Sequence, residues 1–307
     1  MVSIAFAQPP KRAGSGPNPA LVNELVLANH ILANEGVLDA YGHVSVRDDR
    51  NPNHFLLASH MAAGVVTASD IVEYDLDSKP VNPNAAAGYT ERFIHGEIYR
   101  SRPDVMAVVH CHSPELIPFG ATGVALRPIA HLAGFLGDGV PVFEIRDVAG
   151  MTDLLIRDSK LGHALAQTLG QRPAVLLRGH GAVVVAPNLH VVAGRAYYMN
   201  LDARLQREAI LLSGGNVTYL TPEEAGKASA QDGSDDAPGT GRAARLDAVD
   251  VQPSHPVADD NLSGAIGIRE HGADRNRERT GRRERATEGT KLQQQAGRLA
   301  ATEDANQ

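Results

Sequence analysis

The stretch 174–186, AVLLRGHGAVVVA, constrains the fold more than any other. Two apolar, β-branched runs of strand length flank a short Gly-His-Gly turn, and such runs bounded by glycine read as buried strands. So short a link leaves no room for a crossover helix, so the two strands pair antiparallel. HVSVR (43–47) and HFLLA (54–58) repeat the pattern across the polar turn DDRNPN. Further strands are read at DIVEYDLD (70–77), AVVHCH (107–112) and VPVFEI (140–145). Between them lie segments with helical spacing: 19–36 stopped by Gly36, the amphipathic run before Pro103, a run from Asp153 to Gly170, and 190–215 stopped by Gly214-Gly215. A short helix is read to begin within 114–119. The expected fold class is therefore α/β, three-layer α/β/α with a mainly antiparallel central sheet.

Three segments are expected in the 307 residues: a flexible lead over 1–18, a catalytic domain over 19–221, and a disordered low-complexity tail over 222–307. The tail has no Phe, Tyr, Trp or Met and no apolar periodicity, so it buries too little surface to offset its ordering entropy. A weak helix is read near TEGTKLQQQAGRLAATED. A formal net charge of −7 with interspersed signs argues against nucleic acid as a partner. No apolar run reaches the length of a membrane span. Cys111 is the single cysteine, which excludes an intrachain disulfide framework and fits a cytoplasmic location. Ala5-Phe6-Ala7 before Gln8 resembles the end of an export signal, so a periplasmic location stands as the alternative if the true start lies upstream.

The chemistry centres on histidine. His110 and His112 are two apart on one strand and project to the same side, and glycines let the chain bring His180 close. Three neutral imidazoles with an open fourth position suit a catalytic divalent metal rather than a structural one. Zinc and manganese both fit such a set. Glu91 opens the helix just before this strand and shares a face with His95. It reads either as a carboxylate aimed at the metal or as a capping or surface acid. Cys111 alternates to the opposite face and reads as core.

TERFIHGEIYRSRPDVMAVVHCHS followed by LLRGHGAVV resembles the class II aldolase/adducin family, and GHVSVR (42–47) sits where that family has a G-N-V-S-V-R-type strand. The resemblance covers about residues 20–221. It implies an α/β/α fold with a nine-stranded sheet, and a homotetramer with active sites at subunit interfaces. By motif match it also implies His110, His112 and His180 as ligands of one divalent metal per subunit, and Glu91 as the acid–base residue. The activity implied is cleavage of a carbon–carbon bond in a small-molecule substrate through a metal-stabilised enolate. Decarboxylation, aldol cleavage and epimerisation all use that chelate, and adducin is the non-catalytic branch.

Within the family, His43 replaces the asparagine of the phosphosugar enzymes, and Tyr89-Thr90 replaces their serine pair. Fewer hydroxyl donors weaken the phosphosugar reading. YGHVSVR, ERFIHGEIY, HSP and PFG look closer to decarboxylase-like members acting on hydroxylated aromatic or heteroaromatic carboxylates. Candidate substrate contacts are His43, Arg47, Thr90 and Arg127, with His131 as a second catalytic candidate. Arg47 reads equally as a surface partner, and His131 equally as a loop histidine. Two departures stand out. FLLASHM carries Ala58-Ser59 where a Ser-Arg anion contact is common, and the terminal helix with aromatics typical of the family is missing from the expected tail.

Overall fold

A computed structural model describes residues 16–234. Seven strands form one sheet: β1 (His43–Arg47), β2 (His54–Ala58), β3 (Ile71–Asp75), β4 (Ala107–Cys111), β5 (Val142–Phe143), β6 (Ala174–Leu177) and β7 (Gly181–Ala186). Their order is β3-β2-β1-β4-β7-β6-β5, antiparallel throughout except for the parallel β5–β6 pair. The described residues thus contain seven strands rather than nine. Alternation along each strand feeds both faces. Val109, Ala182 and Val184 join one apolar cluster with α1 (Pro19–Asn34). Helix α6 (Leu189–Ser213) completes that layer through Val192, Ala196 and Met199. Val108, Val175 and Val183 face the other cluster. There they meet Ile94, Ile98 and Tyr99 of α2 (Arg92–Ser101), and Leu165 and Leu169 of the helix Ser159–Leu169. The three layers follow.

Two short helices, α3 (Ile117–Ala121) and α4 (Arg146–Ala149), precede that helix, which is α5. The sequence places the start of α5 at Asp153, but it begins at Ser159, where Asp158 accepts a hydrogen bond from the Leu161 N–H at 2.9 Å. Residues 153–158 are irregular, and within them the Leu154 carbonyl and the Ile156 N–H bond to the site described below.

The expected absence of structure from residue 222 onward fails for its first part. Pro222–Ser234 is a helix, α7, whose Ala225 is fully buried. Glu224 and Thr221 satisfy each other's backbone at its start. It packs on the 3-10 segment His131–Leu136, so a small apolar residue at 225 suffices where periodicity looked absent. The helix read near residue 290, and residues 1–15 of the lead, lie outside the described residues. No helix among the described residues is long and apolar enough to cross a membrane.

Candidate metal centre

The pairing of β4 with β7 places His110 one residue from the strand end, with His112 just beyond it and His180 in the β6–β7 turn. Two glycines shape that turn. Gly179 has φ +65°, and a Cβ on Gly181 would lie 1.9 Å from the Cys111 carbonyl oxygen. The imidazoles form a near-equilateral triangle, with ring centroids 4.8, 5.0 and 4.9 Å apart. Glu91, at the start of α2, completes the group. Its Oε2 lies 3.4 Å from the Nε2 of both His110 and His180. One ligand atom from each of the four residues lies within 4.8 Å of every other.

Hydrogen bonds decide which nitrogens face inward. His110 Nδ1 lies 3.1 Å from the Ala182 carbonyl, and His180 Nδ1 lies 3.1 Å from the Leu154 carbonyl. A carbonyl only accepts, so both Nδ1 atoms carry protons and both Nε2 atoms present lone pairs. His112 donates from Nδ1 to Asp39 at 3.1 Å. Partial burial works against ionisation of Asp39, but the N–H groups of Tyr41 and Gly42 and the contact with His112 outweigh it and hold its carboxyl below the usual range. Burial likewise opposes charge on Glu91, yet its contacts with the His110 and His180 imidazoles hold its carboxyl well below the ordinary carboxylate value. Glu91 Oε1 is fixed by the Ile156 N–H at 2.8 Å, leaving Oε2 for the centre.

Four acceptors therefore converge with no protein donor among them. His112 Nε2 and His110 Nε2 approach to 3.1 Å, and His180 Nε2 is buried without a hydrogen-bond partner. An inward-facing set of three imidazoles and a carboxylate, each oriented by a second contact, fits a divalent cation. The centre forms the floor of a cavity of about 500 Å³, which His43, Tyr89 and Thr90 also line.

The sequence profile of the Class II Aldolase and Adducin N-terminal domain matches residues 23–207. The chain belongs to the class II aldolase and adducin family. Its similar relatives include the decarboxylase tropJ of Talaromyces stipitatus, 40% identical over 205 residues, which are 62% of this chain and 77% of that one. The 3,4-dihydroxyphthalate decarboxylase of Arthrobacter keyseri is 31% identical over 202 residues, 62% of this chain and 79% of that protein. Among solved structures, an aldolase II superfamily protein from Pseudomonas syringae aligns with a TM-score of 0.63 at 23% identity. That alignment covers 76% of this chain and 93% of the other, and it shows the shared fold.

Of the residues singled out from sequence in this class II aldolase-type chain, Glu91, His110, His112 and His180 come together, with His43 and Thr90 beside them at the cavity. Three do not join them. Arg47 is buried, and its guanidinium donates to the carbonyls of Val105, Pro52, Tyr99 and Arg102. It therefore ties β1 to the end of α2 and is not a cavity residue. Arg127 stacks over the Tyr219 ring at 4.0 Å. His131 begins the 3-10 segment at the surface and is absent from the cavity lining of this chain. Cys111 sits in the core on the opposite face, its thiol pushed up to about 11 by burial.

Sequence reasoning missed the groups that hold the ligands. Asp39 carries a legible signal, since an Asp two residues before an X-Gly pair marks an Asx turn, and its Oδ1 accepts from the N–H of Tyr41 and of Gly42. The Leu154 carbonyl and the Ile156 N–H carry none, because they act through the backbone. Leu154 adopts φ +70°, an unusual conformation for leucine.

Proposed function

We propose that this chain is a divalent-metal-dependent carbon–carbon lyase that decarboxylates a small hydroxylated aromatic or heteroaromatic carboxylate. The observation that carries the reading is the convergence of four acceptors at the floor of a cavity of small-molecule size. The names of the similar decarboxylases support the choice of reaction. The lining supports the choice of substrate. Among the described residues it includes no Lys or Arg to hold a phosphate, while Tyr41, Tyr89 and Leu155 offer flat apolar surface.

A divalent cation, zinc or manganese, would supply Lewis-acid stabilisation of the negative charge that builds on a substrate oxygen as the carboxylate leaves. Glu91 handles the proton. With Oε1 pinned by Ile156, Oε2 takes the proton of the substrate hydroxyl and delivers it to the ring carbon that bears the carboxylate; carbon dioxide then departs, and the electrons of its bond pass through the ring to the substrate oxygen. One C–C bond breaks, one C–H bond forms, and no redox partner is needed. Thr90 and His43 offer donors to the remaining oxygens. A homotetrameric assembly and a cytoplasmic location accompany this reading, to be tested by light scattering and cell fractionation.

The test is carbon dioxide release from a panel of hydroxyaryl mono- and dicarboxylates, with manganese or zinc added to chelator-treated protein. Expected is turnover that depends on the metal and is lost in Glu91→Gln. Release without metal, or full activity in Glu91→Gln, refutes the reading.

A further inference from the structure

Behind His43 runs a buried chain of hydrogen bonds whose further members the reaction above does not use. His43 Nδ1 lies 2.8 Å from His95 Nε2, His95 Nδ1 lies 2.6 Å from Ser45 Oγ, and Ser45 Oγ lies 2.8 Å from the Tyr99 hydroxyl. His43 and Ser45 alternate onto one face of β1, while His95 and Tyr99 are one turn apart on α2. All four are buried, with exposures of 1%, 0%, 0% and 1% in the order His43, His95, Ser45, Tyr99.

We propose that Tyr99, at the closed end of this chain, fixes His43 as a one-way hydrogen-bond donor whose Nε2–H faces the cavity. The argument is a proton count. The protons can run outward or inward, or His95 and Tyr99 can both donate to Ser45, which leaves the Ser45 proton without an acceptor among the described residues. If they run outward, Tyr99 donates to Ser45, Ser45 donates to His95 Nδ1, and His95 Nε2–H donates to His43 Nδ1. Every donor inside the chain is then paired, and the one remaining N–H, on His43 Nε2, faces the cavity, where water or a ligand can accept it. If they run inward, His43 Nδ1–H donates to His95, His95 to Ser45, and Ser45 to Tyr99. The Tyr99 proton then has no acceptor, because among the described residues Ser45 is the only hydrogen-bond partner of that hydroxyl. Arg47, stacked 4.7 Å over the Tyr99 ring, carries donors only. An unpaired buried donor bears its full desolvation penalty, so the outward direction wins. Both rings are buried, and burial disfavours the charged form of each, so the count is made with neutral imidazoles.

The consequence is a specificity element. His43 stands opposite His110 in the β1–β4 register, their rings 5.2 Å apart, and no described protein group pairs with its Nε2. A molecule docked on the centre therefore meets a fixed donor and must present an oxygen that only accepts, such as a carboxylate or a phenolate. A hydroxyl serves only by turning its own proton away. Which oxygen this is rests on the decarboxylase reading, whereas the proton arrangement does not. His95, Ser45 and Tyr99 are positioning residues.

Neutron diffraction from deuterium-exchanged crystals of the zinc-loaded full chain tests it directly. Expected is deuterium on Nε2 of His43 and of His95, with the Tyr99 deuterium directed at Ser45. Deuterium on Nδ1 of either ring overturns the proposal. Kinetics supply an independent readout. His95→Gln keeps an N–H toward His43 and should retain kcat within about 5-fold, whereas His95→Leu should lose about 100-fold at unchanged metal content. A role in packing alone would favour leucine, so equal or greater loss in the glutamine variant also overturns it. Absence of decarboxylation in the unaltered protein would remove the proposed function and leave the neutron result to decide this one.

Discussion

Asp39→Asn isolates the contribution of a carboxylate that touches no ligand atom of the centre. Asp39 Oδ1 accepts from the N–H groups of Tyr41 at 2.9 Å and Gly42 at 2.7 Å, and both carboxylate oxygens face His112 Nδ1, at 3.1 and 3.2 Å. Asparagine keeps the oxygen that holds the turn. In the other position it puts an NH₂ group against an N–H donor, and it removes the negative charge that makes the imidazole a stronger ligand. Losing such a support typically weakens metal affinity about 10- to 100-fold. The Asp39 side chain is 48% exposed, so water already screens part of its charge and the lower end applies. About tenfold corresponds to about 1.4 kcal/mol. Competition for zinc against a chromophoric chelator measures it, with His112→Ala as the larger reference loss. Unchanged affinity would refute the argument. So would a loss of thermal stability in the metal-free protein as large as the loss of affinity, because the turn and not the imidazole would then be responsible.

Acid should destabilise the fold through two histidines it keeps neutral. Burial holds His43 and His95 below their ordinary value of 6.5, so below that pH the unfolded chain binds protons the folded one refuses, and stability falls as pH falls. The slope is at most about 1.4 kcal/mol per pH unit for each ring, and denaturant titrations from pH 7 to 5 should find it reduced in His95→Leu. Gly181→Ala drives a methyl group into the Cys111 carbonyl, which should cost at least the upper part of the ~1–3 kcal/mol range for overpacking and reduce zinc content together with stability. Ala225→Asp buries a carboxylate against the 3-10 segment, so α7 should detach at a cost of about 1–3 kcal/mol and become open to limited proteolysis at unchanged zinc affinity.

The fold was readable wherever side-chain pattern and secondary structure coincide. The continuous apolar runs of β6 and β7 and the glycine turn between them announce their antiparallel pairing with His180 at its tip, and the His-x-His at the end of β4 announces the other two imidazoles of the group. What escaped reading acts through the backbone or through shape. Residues 153–158 have the composition of a helix, yet the Leu154 carbonyl and the Ile156 N–H are engaged by His180 and Glu91. Arg47 looks like an anion contact in sequence because nothing in HVSVR reveals that four carbonyls surround its guanidinium. Ala225 is a single small residue in a polar segment, below what periodicity detects. The proton chain behind His43 was half visible, since His95 and Tyr99 are four apart on one helix, but its link through Ser45 needs β1 and α2 in contact.

The hydrogen bond from His110 to the Ala182 carbonyl spans 72 residues of sequence. A nascent chain that has not yet emerged as far as His180 therefore holds a bare His-x-His pair, which any free transition ion could occupy wrongly. The complete coordination shell exists only after the late strand has docked beside the early one. A divalent cation held by all four acceptors would act as a latch between the end of β4 and the β6–β7 turn, segments that meet only in the folded chain.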